Sequence, residues 1–271
     1  MIVIKYPLIT KLTAERIAEY IKENGYDDVK VERCLRYSSA EMCVNWGCNS
    51  IRGEYDIVLN PPEKVRENSN KIPTLKALRD AGYPVGRFVT SDDEYTVYPD
   101  KVVVDDMEIK IPLIFRPPKH RKGRDFIVVL DGRELDYLFE KYSGGYAREY
   151  YIKDSEYRVH VVGYEDDYKA IGIMRKDPEN PIKYSIRNHK YGWVFHTVRR
   201  NERTQTLNTI MKTVKMAVRE IGLNIASVDI ATVGDEWFIL EVNSGSGVSS
   251  NIIAPRYARR IINIYDTIIG E

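Results

Sequence analysis

The chain reads as an α/β (α+β) protein, with a small N-terminal α/β layer followed by longer α+β segments. Three observations predict this. Short β-rich runs alternate with an amphipathic helical stretch at the N-terminus, and a long amphipathic helix followed by two strands stands near the C-terminus. A length of 271 residues with 43% hydrophobic and 30% charged residues is ample for a packed core and places the chain among globular rather than disordered proteins.

The elements follow in order. MIVIKY reads as a strand, TAERIAEYIKENG as a helix closing at Gly25, and VKVERCL, EMCVNW and YDIVLN as further short strands. Pro61, Pro62 and the polar stretch to Asn70 mark a boundary. A helix, IPTLKALRDAG, then runs from Lys71 to Gly82, and short strands are expected around FVT, TVYP, KVVVDD and PLIFR. In TQTLNTIMKTVKMAVREIG the residues Leu207, Ile210, Met211, Val214, Val218 and Ile221 fall on one helical face, and Gly222 stands where a helix-ending glycine belongs. ASVDIATV and EWFILEVN are two strands joined by a turn at Gly234 and Asp235, and a last helix covers about Asn251 to Ile269.

Composition excludes several functions. A net charge of +1 argues against a general polyanion binder. No apolar run reaches the roughly 20 residues of a membrane span, and MIVIKYPLITKL lacks the pattern of a signal peptide, so a cytoplasmic protein is expected. Cys34, Cys43 and Cys48 form no CxxC pair and are expected to be buried or idle thiols, and four scattered histidines give no zinc signature.

The chemistry is concentrated in FILEVNSGSG. Both strands of the last pair are apolar on alternate positions of both faces and should be covered on both sides, where an isolated carboxylate costs several kcal/mol unless neutralised. If Val233 pairs with Trp237, Asp229 lies opposite Glu241, with Asn243 on the same face. A tight two-residue turn at Gly234 and Asp235 instead pairs Asp229 with Leu240, so the first arrangement needs a three-residue loop or a bulge. Two carboxylates and an amide without thiol or imidazole suit Mg²⁺ or Mn²⁺.

SVDIATVGDEWFILEVNSGSG resembles the metal-binding end of ATP-grasp enzymes, which include D-alanine:D-alanine ligases, glutathione synthetases and ribosomal-protein glutamate ligases; the resemblance runs from about residue 56 to the C-terminus. It implies an ATP-grasp fold with a pre-grasp α/β domain at 1–68, a central or lid subdomain at 69–148 and a C-terminal subdomain carrying the metal site at 149–271. It also implies ATP and Mg²⁺ (or Mn²⁺) as cofactors, with Asp229, Glu241 and Asn243 as metal ligands. LNPPEKVRENSNKIPTLKALRDAGYPV is similar to the segment whose phosphate-contacting lysine begins a helix, which maps to Lys71. The family's second phosphate-binding lysine falls at PLIFRPPKH, where Arg116 stands and Lys119 can share the role. RPPKHRKGRD takes the place of the glycine-rich lid loop, with basic residues where the family offers backbone donors.

AREYYIKDSEYRVHVV resembles the hinge that holds adenine and ribose. By that pattern Glu149 opens the hinge, the main chain of Tyr150 and Ile152 faces the adenine edge, Glu156 accepts from ribose hydroxyls and Leu240 is the apolar floor under the base. Arg175 and, better placed, Arg187 with Asn188 match basic groups around the γ-phosphate, and Arg158 is similar to an arginine of the glutamate-ligase branch. Lys71, Arg116 and Arg187 would offset charge on the transferring group. The small residues before the last helix lead to a helix start suited to a substrate carboxylate.

The expected activity is an ATP-dependent carboxylate-amine ligase working through an acyl phosphate on a carboxylate substrate and an amine acceptor, whether small molecule, peptide or protein. A phosphotransferase acting on a hydroxyl is the alternative on the same scaffold, and a nucleic-acid binder using the basic 116–124 loop is a less favoured alternative of another class. No membrane partner is expected; members of the family are often oligomeric, and the sequence leaves a homo-oligomer open.

Overall fold

A computed structural model describes residues 1–118, 126–178, 192–248 and 251–270. The first sheet is parallel, in the order β2-β1-β3-β4, built from β1 (Ile2–Tyr6), β2 (Val29–Arg33), β3 (Ser38–Asn45) and β4 (Gly53–Leu59). The helix α1 (Lys11–Glu23) follows β1 and ends before Gly25, whose φ of 91° supplies the left-handed turn that closes it.

The stretch 61–70, read in sequence as a boundary, carries a helix. In α2 (Pro62–Ser69) the proline stands at the first helical position, where its fixed φ fits and its missing N–H costs nothing; Val65 and Asn68 are buried beneath it. Next, α3 (Lys71–Asp80) is capped by Asn70, which accepts from Ile72 N–H at 3.4 Å.

The middle of the chain forms two antiparallel sheets. One, ordered β10-β9-β11-β5, contains β5 (Phe88–Thr90); the other, β6-β7-β8, contains β6 (Tyr95–Val97), β7 (Lys101–Val104) and β8 (Met107–Lys110). The first is completed by β9 (Leu113–Arg116), β10 (Ile127–Val129) and, after α4 (Glu134–Lys141), β11 (Tyr146–Glu149). Val89, Leu113, Phe115 and Ala147 share one face and pack on α4 through Leu135, Leu138 and Phe139.

The last third is a five-stranded antiparallel sheet, β14-β13-β12-β15-β16: β12 (Ser155–Tyr164), β13 (Asp167–Pro178), β14 (Trp193–Thr197), β15 (Ile225–Val233) and β16 (Glu236–Asn243). The helix α5 (Gln205–Glu220) lays its apolar stripe on one face, against Val159, Ile173, Val228, Ile230 and Val242. Across the other face, α6 (Ile253–Ile269) covers one end and joins α1, Trp46 and the first sheet in a second core. The remainder of that face, left without a helix, is the floor of the candidate site. No described helix is long and apolar enough to cross a membrane.

The cysteines correct the expectation of idle thiols. Cys34 and Cys48 are disulfide-bonded, tying the end of β2 to the loop after β3, while Cys43 is buried and reduced with its thiol pushed up to about 12 by burial.

Candidate active site

Strand alternation decides which side chains meet. Register places Arg158 opposite Asp229, His160 opposite Ser227, Ser227 opposite Asn243, and Asp229 opposite Glu241. The turn between β15 and β16 is the tight one: Val233 pairs with Glu236, and Gly234 alone takes a positive φ of 56°, as at the first centre of a type II′ turn. Regular pairing from that turn would set Asp229 against Leu240. A bulge between the Asp229 and Ile230 pairings leaves Leu240 over and restores Glu241 to Asp229. Both sequence-level alternatives are thus realised at once, the tight turn and the bulge.

The acids are held by cations. Arg158 forks onto Asp229, Nε to Oδ1 at 2.7 Å and Nη2 to Oδ2 at 2.9 Å, and lies over the Phe195 ring at 4.4 Å. Burial pushes the Asp229 carboxyl up; Arg158, with Lys176 and His160 beyond it, brings the group below the usual carboxylate range. At the start of α3, Lys71 donates to Val242 O and to Asn243 Oδ1 (3.2 Å), with Glu241 Oε1 at 3.6 Å. Glu241 and Asn243 therefore converge on one positive charge. Asn68 Nδ2 donates to the same Val242 carbonyl at 3.2 Å and fixes the junction of α2 and α3 on β16.

A roof of opposite charge hangs above. Arg116 and Tyr146 are cross-strand partners, Arg148 is two residues further on β11, and the three share the face turned away from the α4 core. Arg148 Nη1 reaches Leu240 O at 3.4 Å, so roof and floor meet at the bulge. Burial, and then Arg116, lowers the Arg148 pKa. Arg116 Nε is buried without a hydrogen-bond partner.

At one side of this cleft Ala231, Phe238, Leu240 and Tyr151 form a small apolar cluster apart from the main cores, with Tyr151 and Phe238 ring centres 4.2 Å apart. Leu240 is 8% exposed here.

Other expected residues are placed differently. Glu156 is not the open acceptor the hinge pattern implied: it is 5% exposed, and its oxygens take Lys153 (2.8 Å) and Lys176. Burial opposes its charge, and the two lysines bring its pKa below the ordinary value. Tyr150 commits its N–H to Pro112 O at 2.9 Å, and Ile152 is 83% exposed. Glu149 points to the α4 side of its strand, where Arg87 lies 3.6 Å away. Arg175, on the face opposite Lys176, is bonded to Asp177 at 2.8 Å rather than turned toward the acids. Lys119, Arg187, Asn188 and the rest of the basic loop, as well as Ser249 and Ser250, lie outside the described residues.

No protein-family model matches this chain, and no curated protein matches it. Solved structures do. The ATP-grasp ligase PsnB complexed with minimal precursor superposes over 97% of this chain and 98% of its own with a TM-score of 0.63 at 14% identity. D-alanine--D-alanine ligase from Bacillus anthracis covers 99% and 96% (TM-score 0.62, 12% identity), and biotin carboxylase from Campylobacter jejuni covers 96% and 70% (0.62, 13%).

The chain has the ATP-grasp fold.

The cleft between the β9–β11 roof and the β12–β16 floor is lined by groups that suit an anion and a cation together. The roof brings two half-buried guanidiniums together, one with an orphaned Nε, which is the environment an anion relieves. A divalent cation also fits the donor set. Among the described residues no three His, Cys, Asp or Glu side chains gather, so the ligands would be two carboxylates and an amide. Glu241 and Asn243 already share a cation, and Asp229 keeps lone pairs beyond those facing Arg158. Reading the chain by motif missed Arg148, Lys153 and Lys176. The signal for Arg148 is alternation within YARE, which sets it on the face of Tyr146 once the strand is recognised.

Proposed function

We propose that the protein is an ATP-dependent carboxylate-amine ligase that forms an amide through an acyl phosphate, with Mg²⁺ or Mn²⁺. The observation that carries this reading is the convergence of Asp229, Glu241 and Asn243 with Lys71, Arg116 and Arg148 on one cleft of an ATP-grasp fold. PsnB, similar in fold, has been solved with Mg and ADP and with a precursor peptide, which supports nucleotide use here and a peptide among the acceptors.

In this reading the base rests on Leu240 and its apolar neighbours, and Lys71, Arg116 and Arg148 face the phosphates. Asp229, Glu241 and Asn243 would hold a divalent metal, which would supply neutralisation of the charge that develops on the transferring group. A substrate carboxylate attacks the γ-phosphorus and the bond to the β-phosphate oxygen breaks, giving acyl phosphate and ADP. The amine then attacks the acyl carbon, phosphate leaves, and the amine proton passes to solvent. Neither step needs a protein nucleophile; the side chains position and neutralise. Arg158 keeps Asp229 ionised and aimed. Lys119 and Arg187 belong to the same proposal as phosphate-facing cations, as do the subdomain limits near residues 68 and 148. A cytoplasmic location is also part of it, with the Cys34–Cys48 bridge the feature that runs against it.

Incubation with Mg·ATP, hydroxylamine and pools of amino acids and short peptides tests the reading. A ligase yields a hydroxamate together with ADP, and Asp229→Asn loses both by about a hundredfold or more. ADP release with phosphorylated substrate and no hydroxamate would instead establish phosphoryl transfer to a hydroxyl.

A further inference from the structure

The Cys34–Cys48 bridge has no part in the nucleotide reading, yet the loop it closes is seated on the end of the site strand. Cys34 stands in the turn after β2, half-buried beside exposed Arg33 and Leu35, with its N–H on Tyr6 O at 3.3 Å and its carbonyl taking Arg52 N–H at 3.2 Å. Cys48 is buried in the loop after β3, where the Asn45 side chain accepts its N–H at 2.8 Å and donates to its carbonyl at 2.9 Å. Residues 46 and 47 of that loop touch residues 244–246 main chain to main chain. A Cβ built on Gly245 would stand 2.7 Å from Trp46 O and 2.9 Å from Gly47 Cα, and one on Gly47 would stand 3.0 Å from Gly245 Cα. Trp46 Nε1 donates to Ser246 O at 3.0 Å, and Ser246 meets Ser227 through their hydroxyls. Ser227 is in turn the cross-strand partner of Asn243.

Two glycine backbones in direct contact leave no side chain that could turn to absorb a shift, so movement of the bridged loop is passed to the residues that follow Asn243. The bridge is the covalent tie of that loop to β2; without it, hydrogen bonds through Asn45 and Trp46 remain. In an oxidising compartment such a tie is permanent, whereas in a reducing one it is transient or sensing. Cys34, half-buried in a turn of exposed residues, is the sulfur an incoming thiol can reach, and the neighbouring exposed Arg33 and Arg36 favour thiolates there. Cys43 does not compete: it is buried, and burial pushes its thiol up to about 12.

We propose that the Cys34–Cys48 bridge is a redox latch: closed, it seats residues 244–246 and with them the end of the site strand, and opened by a dithiol reductant it releases them and weakens nucleotide binding. One thiolate of the reductant attacks Cys34 Sγ, the Sγ–Sγ bond breaks, and Cys48 leaves as a thiolate that takes a proton from solvent. The reductant's second thiolate then attacks its own sulfur in the mixed disulfide, Cys34 leaves and is protonated, and the reductant departs as an internal disulfide. Two electrons and two protons thus pass from the dithiol to the bridge. The effect on nucleotide rests on the ligase reading; the release of residues 244–246 does not.

The test compares protein oxidised with a disulfide reagent and protein reduced with dithiothreitol. It reads hydrogen exchange of a peptide spanning residues 241–248, at short times while the core stays protected in every form, and Mg·ADP binding by calorimetry. Reduction should speed exchange of that peptide and weaken Mg·ADP about tenfold, in wild type and in Cys43→Ser. The double variant Cys34→Ser with Cys48→Ser should match the reduced form in both buffers. Gly245→Ala, whose new methyl meets Trp46 O with the bridge intact, should match the reduced form as well, which separates the latch from a general loss of stability. Reduction that leaves exchange unchanged, or leaves a measurable affinity unchanged, overturns the proposal. So do three free thiols in the oxidised protein, or a Gly245→Ala variant that behaves as the oxidised wild type. Absence of Mg·ADP binding in both buffers, with exchange that still responds, keeps the latch on residues 244–246 and strikes the nucleotide reading instead.

Discussion

Asp229 has two partners in this account: Arg158, through a two-bond fork, and the cation of the proposed chemistry. Asp229 is buried and Arg158 half-buried, so removing one leaves the other charge uncompensated in a largely desolvated place. Arg158→Met should cost about 3–5 kcal/mol in denaturant unfolding, and the pair Arg158→Met with Asp229→Leu should recover much of it. His160 adds a pH dependence. Burial, and then the neighbouring Arg158, lowers its pKa from 6.5 to about 3. Below about pH 6.5 the unfolded chain takes a proton that the native imidazole refuses, so stability falls with pH from there down to about 3. Depressed carboxylates such as Asp229 and Glu156 add the same sign only below their unfolded values near 4. Unfolding free energies should therefore decline between about pH 6.5 and 4.5 in wild type, and the slope should flatten in His160→Asn. Sequence reasoning found Asp229, Glu241 and Asn243 because acids in an apolar strand pair stand out. It passed over Lys153, in the loop before β12, and Lys176, on β13, because single lysines look solvated until the fold brings both to Glu156.

Among the elements, the β15–β16 hairpin shows where pattern reading stops. Alternation identified both strands and the turn, but the choice between Leu240 and Glu241 as the partner of Asp229 depended on one bulged residue, whose local twist leaves no periodic trace. The helix within 61–70 was hidden for a different reason. Two prolines and many polar residues signal a loop, yet Pro62 at a first helical position starts a short helix whose exposed face accounts for the polarity. The disulfide was hidden as well, since Cys34 and Cys48, 14 residues apart, are brought together only by the return of β3 beside β1. A bridge closing a loop of that length should contribute about 3 kcal/mol. The double variant Cys34→Ser with Cys48→Ser should lose about that much in denaturant titration, and reducing agent should lower wild-type stability to the same level without affecting the variant.

At the scale of the molecule, the first sheet is fastened to the end of the site strand. Asn60, buried and at a φ of 61°, receives N–H bonds from Asn224 and Ile225 and gives its own to Ile225 O and Ser244 O. Asn45 joins Asn60 O to the disulfide loop at Cys48, and Trp46 Nε1 donates to Ser246 O. The residues after Asn243 thus take their position from the N-terminal sheet. Fold class was legible because helix stripes and strand alternation survive at 11–15% identity. Substrate was not, because it depends on which side chains the register brings to the cleft, and neither composition nor alternation reads that. The central claim is that Asp229, Glu241 and Asn243 hold a divalent cation against a nucleotide. Calorimetric titration of ADP, with and without Mg²⁺, into wild type and Glu241→Gln tests it most directly. The account predicts wild-type binding that strengthens at least tenfold with Mg²⁺ and loses that gain in Glu241→Gln; equal affinity with and without the metal, or no binding, would contradict it.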